Sequence, residues 1–201
     1  TGDLLAALKP EVGVGIDFSG EMIKRAEERY PHLRFITGDA HEMDLGEKFD
    51  FIVLSDVVND LWDVQTVFDR LLDHCTPKTR IIINTYSRVW ELPLLLTRKL
   101  DLSTPLLPQN WLTVEDITNM LRLTGFEVVR HWPEILWPAA TRGFSEFFNK
   151  YLVRMWPFYY FALTNFLIAR KRPEGKAEKE SEPVVSVIVP ARNEAGNIEE
   201  I

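Results

Sequence analysis

The run EVGVGIDFSGEMIKRAEERYP, residues 11–31, decides the fold class. Its first eight residues read as a strand. Ser19 then caps a helix whose apolar positions Ile23, Ala26 and Tyr30 fall at i, i+3 and i+7, and Pro31 stops it. A strand leading directly into a helix is half of a βαβ unit, and the same alternation continues downstream. Residues 33–36 read as a short strand, and FDFIVL at 49–54 is a continuous apolar run of the kind buried on both faces. Leu61, Val64, Phe68, Leu71 and Leu72 trace one face of a helix, and RIIINT at 80–85 is another buried strand. Alternating strands and helices of this kind imply an α/β domain with a parallel sheet.

Residues 88–170 are less regular. Thr113 caps a helix running to about Leu123, with Gly125 as its C-terminal stop. Residues 126–131 and 161–169 read as strands, and Phe144, Phe147, Phe148, Tyr151, Leu152 and Met155 form an apolar helical stripe between them. Five of the six tryptophans lie in this half. Residues 171–183 (KRPEGKAEKESEP) carry eight charged residues and one aliphatic residue, so they read as a flexible linker. VVSVIV at 184–189 is then a buried-type strand that opens a second unit.

The 201 residues hold one ordinary α/β domain plus a fragment. A net charge of −7 argues against nucleic-acid binding, which needs clustered Lys and Arg. The single cysteine, Cys75, cannot form an intrachain disulfide, so the expected compartment is reducing and cytoplasmic. The apolar stretch 155–169 is too short to span a bilayer.

In open α/β sheets ligands bind beyond the C-terminal strand ends. Asp17 closes the first strand there, where a carboxylate can accept two hydrogen bonds from a ribose diol; an ordinary helix-start acid favoured by the dipole is the alternative. GIDFSGEMIKRAEERYP at 15–31 resembles the second motif of class I S-adenosylmethionine-dependent methyltransferases. GDA at 38–40 resembles their adenine-contacting motif, and FDFIVLSDVV at 49–58 their fourth. The resemblance covers about residues 1–170. It implies a Rossmann-like, mostly parallel sheet with an antiparallel C-terminal strand, and S-adenosylmethionine as cofactor. Asp17 would hold the ribose, Phe18 would pack on the adenine face, and Asp39 and Ala40 would contact the adenine. Ser55 and Asp56 would lie beside the methionine moiety. No metal is implied.

The family's first motif, a strand ending in a G-x-G-x-G loop, is not matched. Thr1-Gly2 resembles that loop's last two residues, which leaves Gly2 as its one representative and the first strand outside the sequence. The 201-residue chain by itself is therefore expected to bind the cofactor weakly and to be inactive. Methyl transfer from a sulfonium needs mainly alignment of the nucleophile, and a base only when the nucleophile must lose a proton. His41, Asp56, Asp60 and Tyr86 are candidates near the expected cleft, and His131 ends a later strand.

The acceptor is expected to be a small molecule. The apolar run at 90–96 and the stripe at 144–155 either cover the sheet edge or line a site for an apolar, lipid-linked acceptor touching a membrane surface. VVSVIVPARNEAGNIEEI at 184–201 resembles the start of a family 2 glycosyltransferase, in which Pro190, Arg192 and Glu194 would contact a nucleotide sugar. The sequence thus divides into a methyltransferase domain at 1–170, the linker at 171–183 and a glycosyltransferase start at 184–201, a fusion that would decorate lipid-linked glycans. Two other readings stand beside this one: a non-catalytic module serving the glycosyltransferase, and a dinucleotide-binding Rossmann enzyme.

Overall fold

A computed structural model describes residues 2–91, 93, 110–138, 141 and 143–173. The linker beyond Arg172 and Pro173, the strand at 184–189, and Pro190, Arg192 and Glu194 lie outside the described residues, as do Leu92 and Leu94–Leu96.

Helix α1 (Asp3–Leu8) precedes strand β1 (Val14–Asp17), helix α2 (Gly20–Arg29) and strand β2 (Arg34–Thr37). β1 and β2 pair in parallel, with Asp17 opposite Thr37. The Ser19 hydroxyl accepts from the Met22 N–H and starts α2, whose Ile23 and Ala26 are buried. The first strand, Val14–Asp17, is shorter than the expected 11–18, and the Gly13 carbonyl just before it accepts the Arg34 N–H at the start of β2.

Strand β3 (Phe49–Leu54), helix α3 (Val64–Asp73), strand β4 (Cys75–Tyr86), helix α4 (Val114–Leu123), strand β5 (Phe126–Glu134), helix α5 (Phe144–Lys150) and strand β6 (Thr164–Lys171) complete the order. The second sheet runs β3-β4-β6-β5, with β3 and β4 parallel and β6 antiparallel to both its neighbours. This matches the mostly parallel sheet with a reversed last strand. Thr113 and Asp116 form a reciprocal capping box at the start of α4. Gly125 follows its end at φ +85°, a left-handed conformation that glycine adopts without penalty. The last strand reaches Lys171, and the Arg172 N–H bonds the Gly125 carbonyl, so regular structure extends slightly past residue 170.

The core lies between this sheet and α3 and α4. Phe68 and Leu71 of α3, Ile117 and Leu121 of α4, Ile81 and Ile83 of β4, Phe126 of β5 and Leu167 of β6 are all buried together. Burial on both faces of β3 is not found. Ile52 and Leu54 pack toward the core, whereas Phe51 is 67% exposed, because no described helix covers the opposite face. Among the described residues, β1 and β3 are joined by no ladder, so each presents one unpaired edge.

The stripe at 144–155 is helical only as far as Lys150, and short 3₁₀ turns follow at Leu152–Arg154 and Phe158–Phe161. Val153, Leu136 and Ala162 make a small separate core. Phe144, Phe147, Tyr151 and Met155 of the stripe, and Trp156, Tyr160 and Phe161 after it, are exposed among the described residues. No helix among the described residues is long and apolar enough to cross a membrane.

Candidate active site

Parallel pairing brings the tips of β1 and β2 side by side, and the Gly38 N–H bonds the Asp17 carbonyl at 3.0 Å. Asp17 is half-buried. Its Oδ1 accepts the Ser19 N–H at 2.9 Å, which fixes the carboxylate at the start of α2 and leaves Oδ2 available. Beside it, Ile16, Ile36, Gly38, Asp39, Glu42, Met43, Asp44 and Leu45 line a cleft of about 230 Å³. Ile16, Ile36 and Met43 supply apolar walls, and Gly38 has open space where a Cβ would stand.

Asp39 caps a single 3₁₀ turn, Ala40–Glu42. Its Oδ1 accepts the His41 backbone N–H at 2.9 Å and meets the His41 ring Nδ1 at 2.5 Å. The backbone bond first, then the ring, hold the Asp39 carboxyl below the usual carboxylate range. Ala40 and Met43 pack against the main core, so this loop connects the two sheets. Phe18 is 75% exposed and free to lie against a planar ligand.

At the tip of β3 the chain turns sharply. Asp56 adopts φ +55°, which short polar side chains tolerate best, and it pairs reciprocally with Asn84 of β4. The Asp56 N–H donates to Asn84 Oδ1 at 3.2 Å, and Asn84 Nδ2 donates to Asp56 Oδ1 at 2.5 Å. Ser55 beside it is exposed. Tyr86 ends β4 at the same rim. Burial first, then the Asp56 and Asp60 carboxylates, push its phenol above the usual range, so it keeps its proton at neutral pH.

Gly2 is not brought to this rim. Its nearest side chains are Phe35 and Tyr30, and Asp3 beside it bridges Arg29 at 2.8 Å and accepts from the Tyr30 hydroxyl. Those contacts hold the start of α1 at the end of α2 farthest from Ser19. His131 also lies elsewhere: it sits within β5, next to Asn165 of β6.

A profile describing a methyltransferase domain matches residues 1–125. The chain belongs to the methyltransferase domain family. No curated protein sequence matches it. Among solved structures, an S-adenosylmethionine-dependent methyltransferase from Thermotoga maritima aligns with TM-score 0.63 and 15% identity, over 85% of this chain and 77% of that one. Another from Methanosarcina mazei gives 0.60 and 17%, over 84% and 86%. Magnesium protoporphyrin IX methyltransferase from Synechocystis, with bound S-adenosylhomocysteine, gives 0.54 and 18%, over 82% of this chain. The methyltransferase described here spans 66% of the length of that enzyme. At these identities the likenesses establish the fold.

The methyltransferase takes S-adenosylmethionine as methyl donor. The rim suits the adenosine half of that molecule. A fixed carboxylate with one open oxygen can accept from a diol, and the cleft sets the apolar walls of Ile16, Ile36 and Met43 beside the carboxylates of Asp39, Glu42 and Asp44, acceptors that suit the amine of an aminopurine. A larger cleft of about 300 Å³, lined by Thr118, Arg122 and Arg172 among others, lies at the far edge against β5 and includes none of these residues.

Sequence reasoning missed Asn59. It is wholly buried, and its Oδ1 accepts from the Thr85 hydroxyl at 2.8 Å and the Tyr86 N–H at 3.0 Å. Its Nδ2 donates to the Asn110 carbonyl at 2.9 Å, and Asn110 Nδ2 in turn donates to the Leu61 carbonyl. The available signal was an amide directly after the apolar pair Val57-Val58.

Proposed function

We propose that the protein transfers the methyl group of S-adenosylmethionine to a small apolar or lipid-linked acceptor presented at a membrane surface. The cofactor supplies a methyl group already activated on a sulfonium. Asp17 and Asp39 would hold its ribose and adenine, with Phe18 against the ring. Ser55 and Asp56 would flank the methionine end. The chain's remaining task is to align the acceptor and exclude water, an orientation effect worth up to roughly 7–11 kcal/mol in favourable systems.

The observation that carries the acceptor class is the exposed aromatic surface of Phe144, Phe147, Tyr151, Trp156, Tyr160 and Phe161. It stands at the same end of the sheet as Tyr86. The Ser87 N–H bonds the Leu163 carbonyl, and Trp90 Nε1 bonds the Phe161 carbonyl at 2.8 Å. Lys150 and Arg154 lie among these rings, and exposed Trp and Tyr with basic residues suit a bilayer interface.

The intact protein, rather than residues 1–201 by themselves, incubated with methyl-tritiated S-adenosylmethionine and vesicles of total polar lipid, is expected to sediment with the vesicles and to leave label in the organic extract. Label confined to the aqueous phase, with the protein in the supernatant, would overturn the lipid acceptor and leave a soluble one.

The open edges of β1 and β3 would both be paired by one parallel strand, giving a single sheet with that strand at its centre. We assign that position to the family's glycine-loop strand. The tail at 184–201 is taken as the start of a family 2 glycosyltransferase on its sequence alone. One observation tests both assignments: the coding sequence on either side should show an apolar strand ending in G-x-G-x-G before Thr1 and an acidic metal-binding motif after Ile201. Their absence would favour a non-catalytic module.

A further inference from the structure

We infer that His41 is a positioning residue that aims the Asp39 carboxylate, and so makes the adenine site select an aminopurine over an oxopurine. The inference rests on the adenine role proposed for Asp39.

The His41 ring is buried and both of its nitrogens are engaged. Nε2 accepts the Asp63 backbone N–H at 3.3 Å. A nitrogen that accepts carries no proton, so the neutral ring has its proton on Nδ1 and must donate it to Asp39 Oδ1, 2.5 Å away. The indole of Trp62 stacks on the imidazole at 4.4 Å between centroids and 20° between planes, closing one face of the ring. Asp63, which anchors the other side of the imidazole, is itself fixed as the cap of α3. Its carboxylate accepts from the Thr66 N–H at 3.0 Å and the Thr66 hydroxyl at 2.7 Å. The orientation of Asp39 is therefore referred, through one rigid ring, to a helix start in the main core.

The consequence is chemical. With Oδ1 taken by two donors on His41, the exposed oxygen of Asp39 is the one left to face the cleft. An anion there accepts a hydrogen bond from an exocyclic amine and repels a carbonyl oxygen. Without the ring Oδ1 keeps only the backbone N–H of residue 41, so the carboxylate is held by one bond instead of two, and the preference between amine and carbonyl falls.

The test is NMR titration of the full chain with S-adenosylhomocysteine and with S-inosylhomocysteine, which carries oxygen in place of the amine. His41→Ala is expected to weaken the adenosyl ligand about tenfold, the scale of one hydrogen bond, and to leave the inosyl ligand within about twofold. His41→Asn, whose amide N–H stands close to the position of Nδ1, is expected to restore most of the preference. A downfield imidazole N–H proton in the unaltered protein, absent in Asp39→Ala, reports the bond without any ligand. Equal weakening of both ligands by His41→Ala, or no recovery in His41→Asn, overturns the positioning role. Unchanged adenosyl affinity in Asp39→Ala would instead remove the adenine assignment itself, a result separable from the first.

Discussion

Asp17→Ala is expected to lower the affinity for S-adenosylhomocysteine by about a hundredfold, because two hydrogen bonds to a charged acceptor are together worth roughly 3 kcal/mol. The geometry makes this residue hard to replace. Asp17 closes β1, one of its oxygens is tied to the Ser19 N–H, and parallel pairing with β2 sets Gly38 and Asp39 alongside. Asp17→Asn separates charge from shape. It keeps an oxygen for Ser19 but offers an amide to the diol, so an intermediate loss is expected. Thermal unfolding of both variants should stay close to that of the unaltered protein, since the Ser19 hydroxyl caps α2 independently through Met22. Titration is the measurement. An Asp17→Ala protein that bound the ligand as well as its parent would remove the ribose contact and the orientation of the whole cofactor with it.

The elements readable from sequence are those that local patterning determines. Ser19, Thr113 and Gly125 mark helix ends through short-range hydrogen bonds and a glycine conformation, and all three stand where the sequence puts them. Phe49–Leu54 was equally clear as a strand. Its burial was not, because whether Phe51 is covered depends on which helix lies opposite, and a continuous apolar run carries no information about that. The stripe at 144–155, helical from Phe144 to Lys150, leaves its covering open for a related reason. Helical spacing reports a face, but only the surrounding chain decides whether that face meets a core.

The site was half legible. Asp17 and Asp39 could be found because they follow strands, and the structure brings them together at adjacent tips. Gly2 could not be placed, since its position depends on the Asp3–Arg29 and Asp3–Tyr30 contacts between distant residues. From sequence His41 is only a candidate near the expected cleft, and its burial against Trp62 follows from a loop closing across two sheets. Polar side chains that act through long-range partners leave no periodic trace.

Asn59 is the strongest example of that class, and Asn59→Ala is the second large effect expected. Truncation removes the acceptor for the Thr85 hydroxyl and the Tyr86 N–H, and the donor to the Asn110 carbonyl. Buried groups left unpaired cost about 1–3 kcal/mol each. The hydroxyl can rotate to another partner, so a total near 3 kcal/mol is expected, which for a domain of this size lowers the unfolding temperature by roughly 6–12 °C. Thr85→Val deletes one arm of the network and replaces it with a methyl group, and should cost about 1 kcal/mol. The functional consequence follows from position. Asn59 joins the loop after β3 to the end of β4 and to residue 110, which together shape the rim around Tyr86, whereas Asp17 and Asp39 lie on the other sheet. Asn59→Ala should therefore raise the KM for the methyl acceptor and weaken S-adenosylhomocysteine much less than Asp17→Ala does, because of the cofactor residues only Ser55 and Asp56 share its loop while Asp17 and Asp39 share none of its partners. Calorimetry and steady-state kinetics measure the two effects separately. An unchanged unfolding temperature would mean that the buried amide holds nothing together. A loss of cofactor affinity equal to the loss of acceptor affinity would mean that the two halves of the rim are not independent.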